Sequence, residues 1–164
     1  MKMMFIILAV VLAMFPPKVK NFSGLWELDM KKSTNLPKSF EQVESYTMDV
    51  RQTSDSMIIV IGLKGGGQDV KFPVTNYLLN GKEVFREDTL RMSKRWITCS
   101  WAANGSVFVV SSKVEQGSGG KKKEFTQRDE WRLKDASTVE ISLSQKFAHS
   151  DSTHSELRVF HKMK

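Results

Sequence analysis

The 164-residue sequence contains a single cysteine, Cys99, so the chain cannot form an intrachain disulfide. This excludes the small secreted folds that are held together by several disulfide bonds. A chain of this length is long enough for one domain with a sizeable core, and its stability must depend on that core. We interpret Cys99 as a small buried hydrophobic residue and not as a nucleophile.

The sequence also lacks the motifs that mark common catalytic and cofactor sites. It has no GxSxG motif, and the glycine-rich stretch at 62–69 lacks the GK[ST] ending of a phosphate-binding loop. His149, Asp151 and His154 could hold a metal ion, but a polar hairpin loop is the simpler interpretation. The basic run 121–123 has no interleaved aromatic residues. We predict a protein that is not an enzyme and that has no cofactor, metal or nucleic-acid partner.

Long hydrophobic runs are absent except at the N-terminus, which begins MKMMFIILAVVLAMF. This run is too short for a stable membrane-spanning helix and is typical of a secretory signal peptide. We predict a signal peptide at 1–13, an extended tether at 14–21 and a folded domain at 22–164. Cleavage would leave a secreted or periplasmic protein without a transmembrane span, and an uncleaved N-terminal anchor is the alternative. The net charge of +7 permits weak association with anionic surfaces.

After the leader, the chain has almost no helical pattern. Short runs rich in β-branched and aromatic residues alternate with turn signals, including Asn-Gly at 80–81 and at 104–105. The polar stretch 31–42 indicates a loop or a short helical lid, and Pro73 bends or divides the strand that contains it. Sequential hairpins place each strand beside the previous one, and closure removes exposed edges. The pattern predicts an all-β fold, an antiparallel up-and-down β-barrel of about 8–11 strands that follows the hydrophobic leader.

Alternating hydrophobic and polar residues separate the two faces of the predicted sheet. In the stretch 125–133 the polar residues Gln127 and Asp129 fall on the hydrophobic face, so we expect both side chains to point inward. A carboxylate inside an apolar barrel needs a partner, and Arg95 is our first candidate. The alternative is a β-bulge that turns Asp129 toward solvent and Arg128 toward the interior.

Several short motifs occur in an order that resembles the calycins, the group of β-barrels that includes lipocalins and fatty-acid-binding proteins. The chain has FSGLWELDMKKS at 22–33, Y-x-L-x-G-K-E at 77–83, W-x-x-NGS at 101–106 and DEWRLKD at 129–135. A last strand that ends in an aromatic residue and a base follows them. The chain most resembles secreted bacterial lipocalin-like proteins of unassigned function, over about 22–162. Each motif is short, so the resemblance depends on their order.

This resemblance implies a lipocalin-like barrel whose first and last strands pair. In calycins a tryptophan of the first strand packs at the closed end, often beneath a basic residue of the last strand. Carried over to this chain, Gly24, Trp26 and Arg158 would close the barrel. Fatty-acid-binding proteins use an Arg-x-Tyr pair of the last strand to hold a ligand carboxylate. This chain has Phe160 in place of the tyrosine, so we assign Arg158 a structural role first and a ligand-binding role second.

A barrel lined by apolar residues and a few inward polar groups is a common site for small molecules. We therefore predict a secreted, non-enzymatic binding protein that holds a small, mainly apolar ligand, hydrophobic or amphipathic, in the barrel. The alternative is a structural or protein-interaction barrel whose interior is filled by side chains. The candidate ligand-binding residues are Tyr46, Met48, Arg95, Trp101, Gln127, Asp129, Trp131 and Arg158.

Overall fold

The computed structural model describes residues 19–89, 92–102, 105–118 and 121–164. The predicted signal peptide lies outside the described residues, as does most of the predicted tether. The described part is almost entirely antiparallel β-structure, which confirms the all-β prediction. A short 3₁₀ helix, η1, spans Lys38–Gln42. The strands are β1 (Gly24–Leu28), β2 (Ser45–Gln52), β3 (Ser56–Gly65), β4 (Gln68–Lys71), β5 (Thr75–Leu78), β6 (Val84–Asp88), β7 (Ser93–Ala102), β8 (Val107–Ser118), β9 (Lys121–Asp135), β10 (Thr138–Phe147) and β11 (Thr153–Lys162).

All of these strands belong to one sheet with the order β4-β3-β2-β1-β11-β10-β9-β8-β7-β6, and β5 also pairs with β3. Pairing of β1 with β11 makes the two ends of the folded chain neighbours, as we expected, with Trp26 opposite Lys162. The hairpin expected at 104–105 forms between β7 and β8, although Asn104 itself lies outside the described residues.

The prediction of a closed barrel is wrong for the described residues, because the hydrogen-bonded path ends at β4 and β6. The turn at 80–81 does not join a hairpin, since β5 pairs with β3 whereas β6 pairs with β7. Pro73 divides the preceding segment into β4 and β5, which both lie along β3. The sheet nevertheless curls until its ends meet. There the Arg86 guanidinium of β6 donates a hydrogen bond to the Asn76 carbonyl of β5.

The inner face of the curled sheet carries the hydrophobic core. Buried and partly exposed residues alternate along β2 and β10, as the sequence pattern predicted. Phe22, just before β1, is fully buried and packs on three aromatic rings at centroid distances of 5.9–6.5 Å. Cys99 is buried in the same core, which confirms its interpretation as a small hydrophobic residue. We call one group of core residues the aromatic floor: Phe22, Trp26, Trp101, Phe108 and Trp131.

The segment between β1 and β2 folds back over the inner face as the predicted short lid. Thr34 pairs with Leu157 of β11, and η1 then places the Phe40 ring 5.6 Å from the Tyr46 ring. Gly65 permits this close approach, because a Cβ at that position would lie 2.2 Å from a backbone carbonyl oxygen at the end of η1. The lid therefore covers β2 and β11 at one end of the inner face.

The folded part begins slightly before residue 22. The Lys20 N–H donates to the Gly105 carbonyl, and the Gln52 amide donates to the Lys20 carbonyl at 2.9 Å. The last residues of the predicted tether are thus attached to the sheet. The residues that the structure describes include no helix with the length and apolar character needed to cross a membrane.

Candidate functional site

Three neighbouring rows of side chains cross the inner face from β7 to β11. The first, the aromatic row, consists of Trp101, Phe108, Trp131, Ile141 and Arg158. The second, the acidic row, consists of Cys99, Val110, Asp129, Leu143 and Glu156. The third, the amide row, consists of Ile97, Ser112, Gln127, Gln145 and His154. Adjacent rows are two residues apart along each strand, so all three face the same side.

Five polar residues of these rows form what we call the inner polar cluster: Gln127, Asp129, Gln145, Glu156 and Arg158. The cluster lies beside the aromatic floor, because Arg158 shares its row with Trp131, Phe108 and Trp101. The inner face therefore combines an apolar surface with a group of polar side chains.

Asp129 faces inward, as the alternation predicted. Strand β9 pairs with β10 in an unbroken register from Phe125 to Leu133, so the alternative of a bulge at Asp129 is wrong. Arg128 points to the outer face, where its Nε lies 3.0 Å from Glu130 Oε1.

Two successive amide groups hold the Asp129 carboxylate. Gln127 Nε2 donates to both carboxylate oxygens, at 3.0 and 3.2 Å. Gln145 Nε2 donates to Gln127 Oε1 at 3.1 Å, which keeps the Gln127 nitrogen directed at Asp129. Burial raises the pKa of Asp129 to about 6, although the Gln127 hydrogen bond and the positive charges of Arg158 and Arg95 oppose that rise.

Arg95 is not the direct partner of Asp129 that we expected. Its side chain is exposed, and its effect on the pKa of Asp129 is smaller than that of Gln127 or Arg158. The reason is distance along the strand. Arg95 lies four residues from Cys99, the β7 residue in the row of Asp129, which is about 13 Å of strand.

Arg158 joins the lid to the sheet. Its Nη2 lies 2.6 Å from Glu156 Oε1, and its guanidinium carbon lies 5.4 Å from the centre of the Phe40 ring. The Tyr46 hydroxyl lies beside it: burial raises the pKa of Tyr46, and the Arg158 charge partly opposes that rise. The lid, β2 and β11 therefore meet at one guanidinium.

Trp26 is buried as predicted, but the cation on its indole is Lys162 and not Arg158. Lys162 Nζ lies 5.4 Å from the indole centre, because Trp26 is opposite Lys162 and β1 ends before its ladder reaches Arg158. Gly24 leaves space for this contact, since a Cβ there would lie 2.8 Å from Lys162 Cε. Gly24 also has a φ of +147°, which other residues rarely adopt.

Three buried polar atoms at the inner polar cluster and the aromatic row have no hydrogen-bond partner among the described residues. They are Trp131 Nε1, Glu156 Oε2 and Arg158 Nε. An unsatisfied buried polar atom costs about 1–3 kcal/mol, so such atoms are rare in folded proteins. Two of the three are donors and one is an acceptor, so together they can bind a group that both accepts and donates.

The remaining candidates belong to the core. Tyr46, Met48 and Trp131 are buried, and Trp101 is partly buried against the Phe108 ring at a centroid distance of 5.3 Å. The structure thus brings Tyr46 and Trp131 to the inner polar cluster or next to it. Met48 lies across from Trp26 on the neighbouring strand, two residues beyond Tyr46.

Sequence analysis missed Glu156 and Gln145. Glu156 is buried, and it shares the face of Arg158 and Phe160 because it lies two and four positions before them. The same alternation that identified Gln127 and Asp129 could have found it. Gln145 continues the inward positions of β10 and carries the same signal.

The outer face carries a shallow groove of about 440 Å³ across β7 to β10. Its lining includes Trp96, Lys113, Thr126, Arg128 and Lys146. Gln127 and Gln145 of the inner polar cluster are also among its lining residues, whereas Asp129, Glu156 and Arg158 are not. Among the described residues, no three His, Cys, Asp or Glu side chains are grouped so that they could hold a metal ion.

No model of a known protein family matches the chain, and no curated protein sequence matches it.

Proposed function

We propose that this chain is a secreted, non-enzymatic binding protein that holds a small amphipathic molecule against the inner face of its curled sheet. The observation that carries the proposal is the group of buried polar atoms beside the aromatic floor that have no hydrogen-bond partner among the residues described. Sites for small molecules usually combine an apolar surface with a few converging polar groups. The polar head of the ligand would contact the inner polar cluster, and its apolar body would lie against Trp101, the one partly exposed ring of the aromatic floor.

The architecture that goes with this function is a calycin-like barrel with a seam between β5 and β6. The pairing of β1 with β11 supports it, as does a buried first-strand tryptophan beneath a basic residue of the last strand. The hydrophobic leader supports secretion. Release into an oxidising compartment is compatible with a chain whose single cysteine is buried.

The second candidate function is a structural or protein-interaction role for a filled interior. Phe22 favours it, because its ring packs among Trp101, Phe108 and Trp131. The interior is filled in this way at the aromatic floor, and the inner polar cluster is more open. Asp129 and its amide partner Gln127 are only partly buried, so solvent reaches this part of the inner face and a ligand could do so.

Native mass spectrometry of the protein purified from its own host tests the proposal. We expect a retained small molecule that is released when the protein unfolds.

Ser112 on the inner face and Ser111 on the outer face of β8 provide a matched pair of positions for substitution. The bulky substitution Ser112→Trp should remove the bound molecule, whereas Ser111→Trp should leave it in place. A protein without any bound molecule, which also fails to bind every amphiphile offered in vitro, would support the filled interior.

A further inference from the structure

Two carboxylates share the acidic row on the inner face. Asp129 and Glu156 both lie opposite Leu143 of β10, from its two sides, so they are two strands apart. The Glu156 side chain is 3% exposed and that of Arg158 is 22% exposed. The negative charge of Glu156 contributes to the raised pKa of Asp129, so the two groups interact.

One cation does not neutralise both carboxylates. Arg158 binds Glu156 Oε1, and Glu156 Oε2 has no hydrogen-bond partner in the described part of the chain. Among the described residues, Asp129 makes no ion pair, and its hydrogen bonds come from the neutral amide of Gln127. Both carboxylates therefore keep the capacity to accept hydrogen bonds from a donor-rich cation.

Trp131 provides an observation independent of the acids. It is 5% exposed, and its Nε1–H has no acceptor among the described residues. Trp131 lies on β9 two residues after Asp129, on the same face. A buried indole N–H usually donates to an oxygen, so a ligand oxygen next to the cation would satisfy it.

We propose that the inner polar cluster recognises the ammonium head of a small amphipathic amine that carries a hydroxyl or carbonyl oxygen beside its nitrogen. This inference rests on the proposed binding function and names the ligand class. The ammonium donates to Asp129 and to the free oxygen of Glu156, and the adjacent oxygen accepts from Trp131 Nε1. The apolar tail lies against Trp101, the partly exposed ring of the aromatic floor.

A carboxylate head fits this site less well. Arg158 is already paired with Glu156 and stacked on Phe40, so an anion would have to displace one of these contacts. An anion would also lie beside two carboxylates, and like charges in a partly buried site repel one another strongly.

The test compares four probes with the same ten-carbon chain: decylamine, 1-amino-2-decanol, 1-decanol and decanoate. Binding to the full-length protein at pH 7.5 is followed by tryptophan fluorescence and by calorimetry. We expect decylamine to bind at least about tenfold more tightly than decanol or decanoate, the usual effect of a charged hydrogen bond. We expect 1-amino-2-decanol to bind more tightly still.

Variants assign the preference to residues. Asp129→Asn and Glu156→Gln should each reduce the advantage of decylamine over decanol by about tenfold. Trp131→Phe should remove the additional advantage of the hydroxylated amine and leave that of decylamine. Glu130→Gln, which changes the neighbouring carboxylate on the outer face, is the control and should change neither preference.

The four probes separate the two proposals without any variant. If no probe binds, the proposed binding function is wrong and this inference is wrong with it. If all four bind with similar affinity, the binding function stands and the amine preference is wrong. If decanoate binds best, the proposal of an amine ligand is wrong, and the ligand carries a carboxylate that Arg158 selects.

Discussion

Arg158 and Lys162, both on the inner face of β11, lie in different surroundings. Lys162 is exposed, with its ammonium over the Trp26 ring, and it remains in contact with water. Arg158 is mostly buried and forms an ion pair with Glu156, which is almost fully buried. A surface cation over an indole costs little desolvation, whereas a buried ion pair costs a great deal.

The residues that join the first and last strands are therefore different from the polar groups proposed to bind a ligand. The contact between β1 and β11 is completed at the aromatic floor by Trp26, Gly24 and Lys162, without a buried charge. The buried charges of the inner polar cluster are therefore not required to join the ends of the chain. Buried polar groups that are not needed for the contact between β1 and β11 are candidates for function.

Removal of the Trp26 side chain, next to the contact between β1 and β11, should have the largest effect on stability. Trp26→Ala leaves a large cavity and removes the hydrogen bond from Nε1 to the Phe22 carbonyl, 2.9 Å long. We expect a loss of about 3–5 kcal/mol in the free energy of unfolding, measured by urea denaturation. Trp96→Ala, which truncates a partly exposed tryptophan of the outer face, should cost much less. Equal losses would show that Trp26 has no special place in the core.

At the inner polar cluster, removal of Arg158 measures how much free energy of unfolding is lost when the buried Glu156 carboxylate has no cation. Arg158→Met leaves Glu156 unpaired, and we expect a loss of about 2–4 kcal/mol at pH 7.5. The double variant Arg158→Met/Glu156→Leu should recover most of this stability. Failure of the second substitution to restore stability would show that Arg158 acts mainly through its contact with Phe40.

Gly24→Ala, at the same contact between β1 and β11, should have a smaller effect. The Cβ would meet the flexible end of Lys162, which can move, but the φ of +147° would remain strained. We expect a loss of about 1–3 kcal/mol. The matched control is the same substitution in the Lys162→Ala background, where the contact is absent and only the backbone strain remains. An equal loss in both backgrounds would show that the contact with Lys162 contributes nothing.

Local sequence patterns predicted what lies on each face, because a strand alternates its side chains whatever its partner is. Gln127 and Asp129 were placed inside correctly for this reason. The pairing of Trp26 with Lys162 depends on the register between the first and last strands, which no local pattern specifies. The turn at 80–81 was identified, but its flanking strands pair elsewhere, because a turn signal does not determine which strand lies beside it.

The partners of the inner polar residues were the least predictable part of the site. Arg95 and Cys99 both occupy inward positions of β7. This alternation alone did not show that Arg95 lies two rows from Asp129. The actual partner, Gln127, lies two residues away on the same strand. Distances across a curled sheet depend on the shear between strands, and this follows from the whole fold and not from one segment.

The smallest predicted effect concerns the ionisation of Asp129. Its pKa is raised from the ordinary value of 3.8 to about 6 by burial. Between these values the folded protein binds more protons than the unfolded chain, so stability falls as the pH rises. The destabilisation is absent below about pH 3.8 and complete above about pH 6. It amounts to at most about 2 kcal/mol, because the side chain keeps some contact with solvent.

Asp129→Asn removes this titration and retains an oxygen that can accept from Gln127. The variant should be more stable than the natural protein by about 1–2 kcal/mol at pH 7.5, and the difference should disappear near pH 4.

The charged groups that face Asp129 are Glu156 and Arg158 of β11 and Arg95 of β7. The nearby Tyr77 and Cys99 have raised pKa values that keep them neutral throughout this range. Urea denaturation at intervals between pH 4 and 7.5 measures the difference. A constant difference across this range would mean that the Asp129 carboxylate is already ionised at pH 4, and the cluster would then hold a permanent negative charge for its ligand.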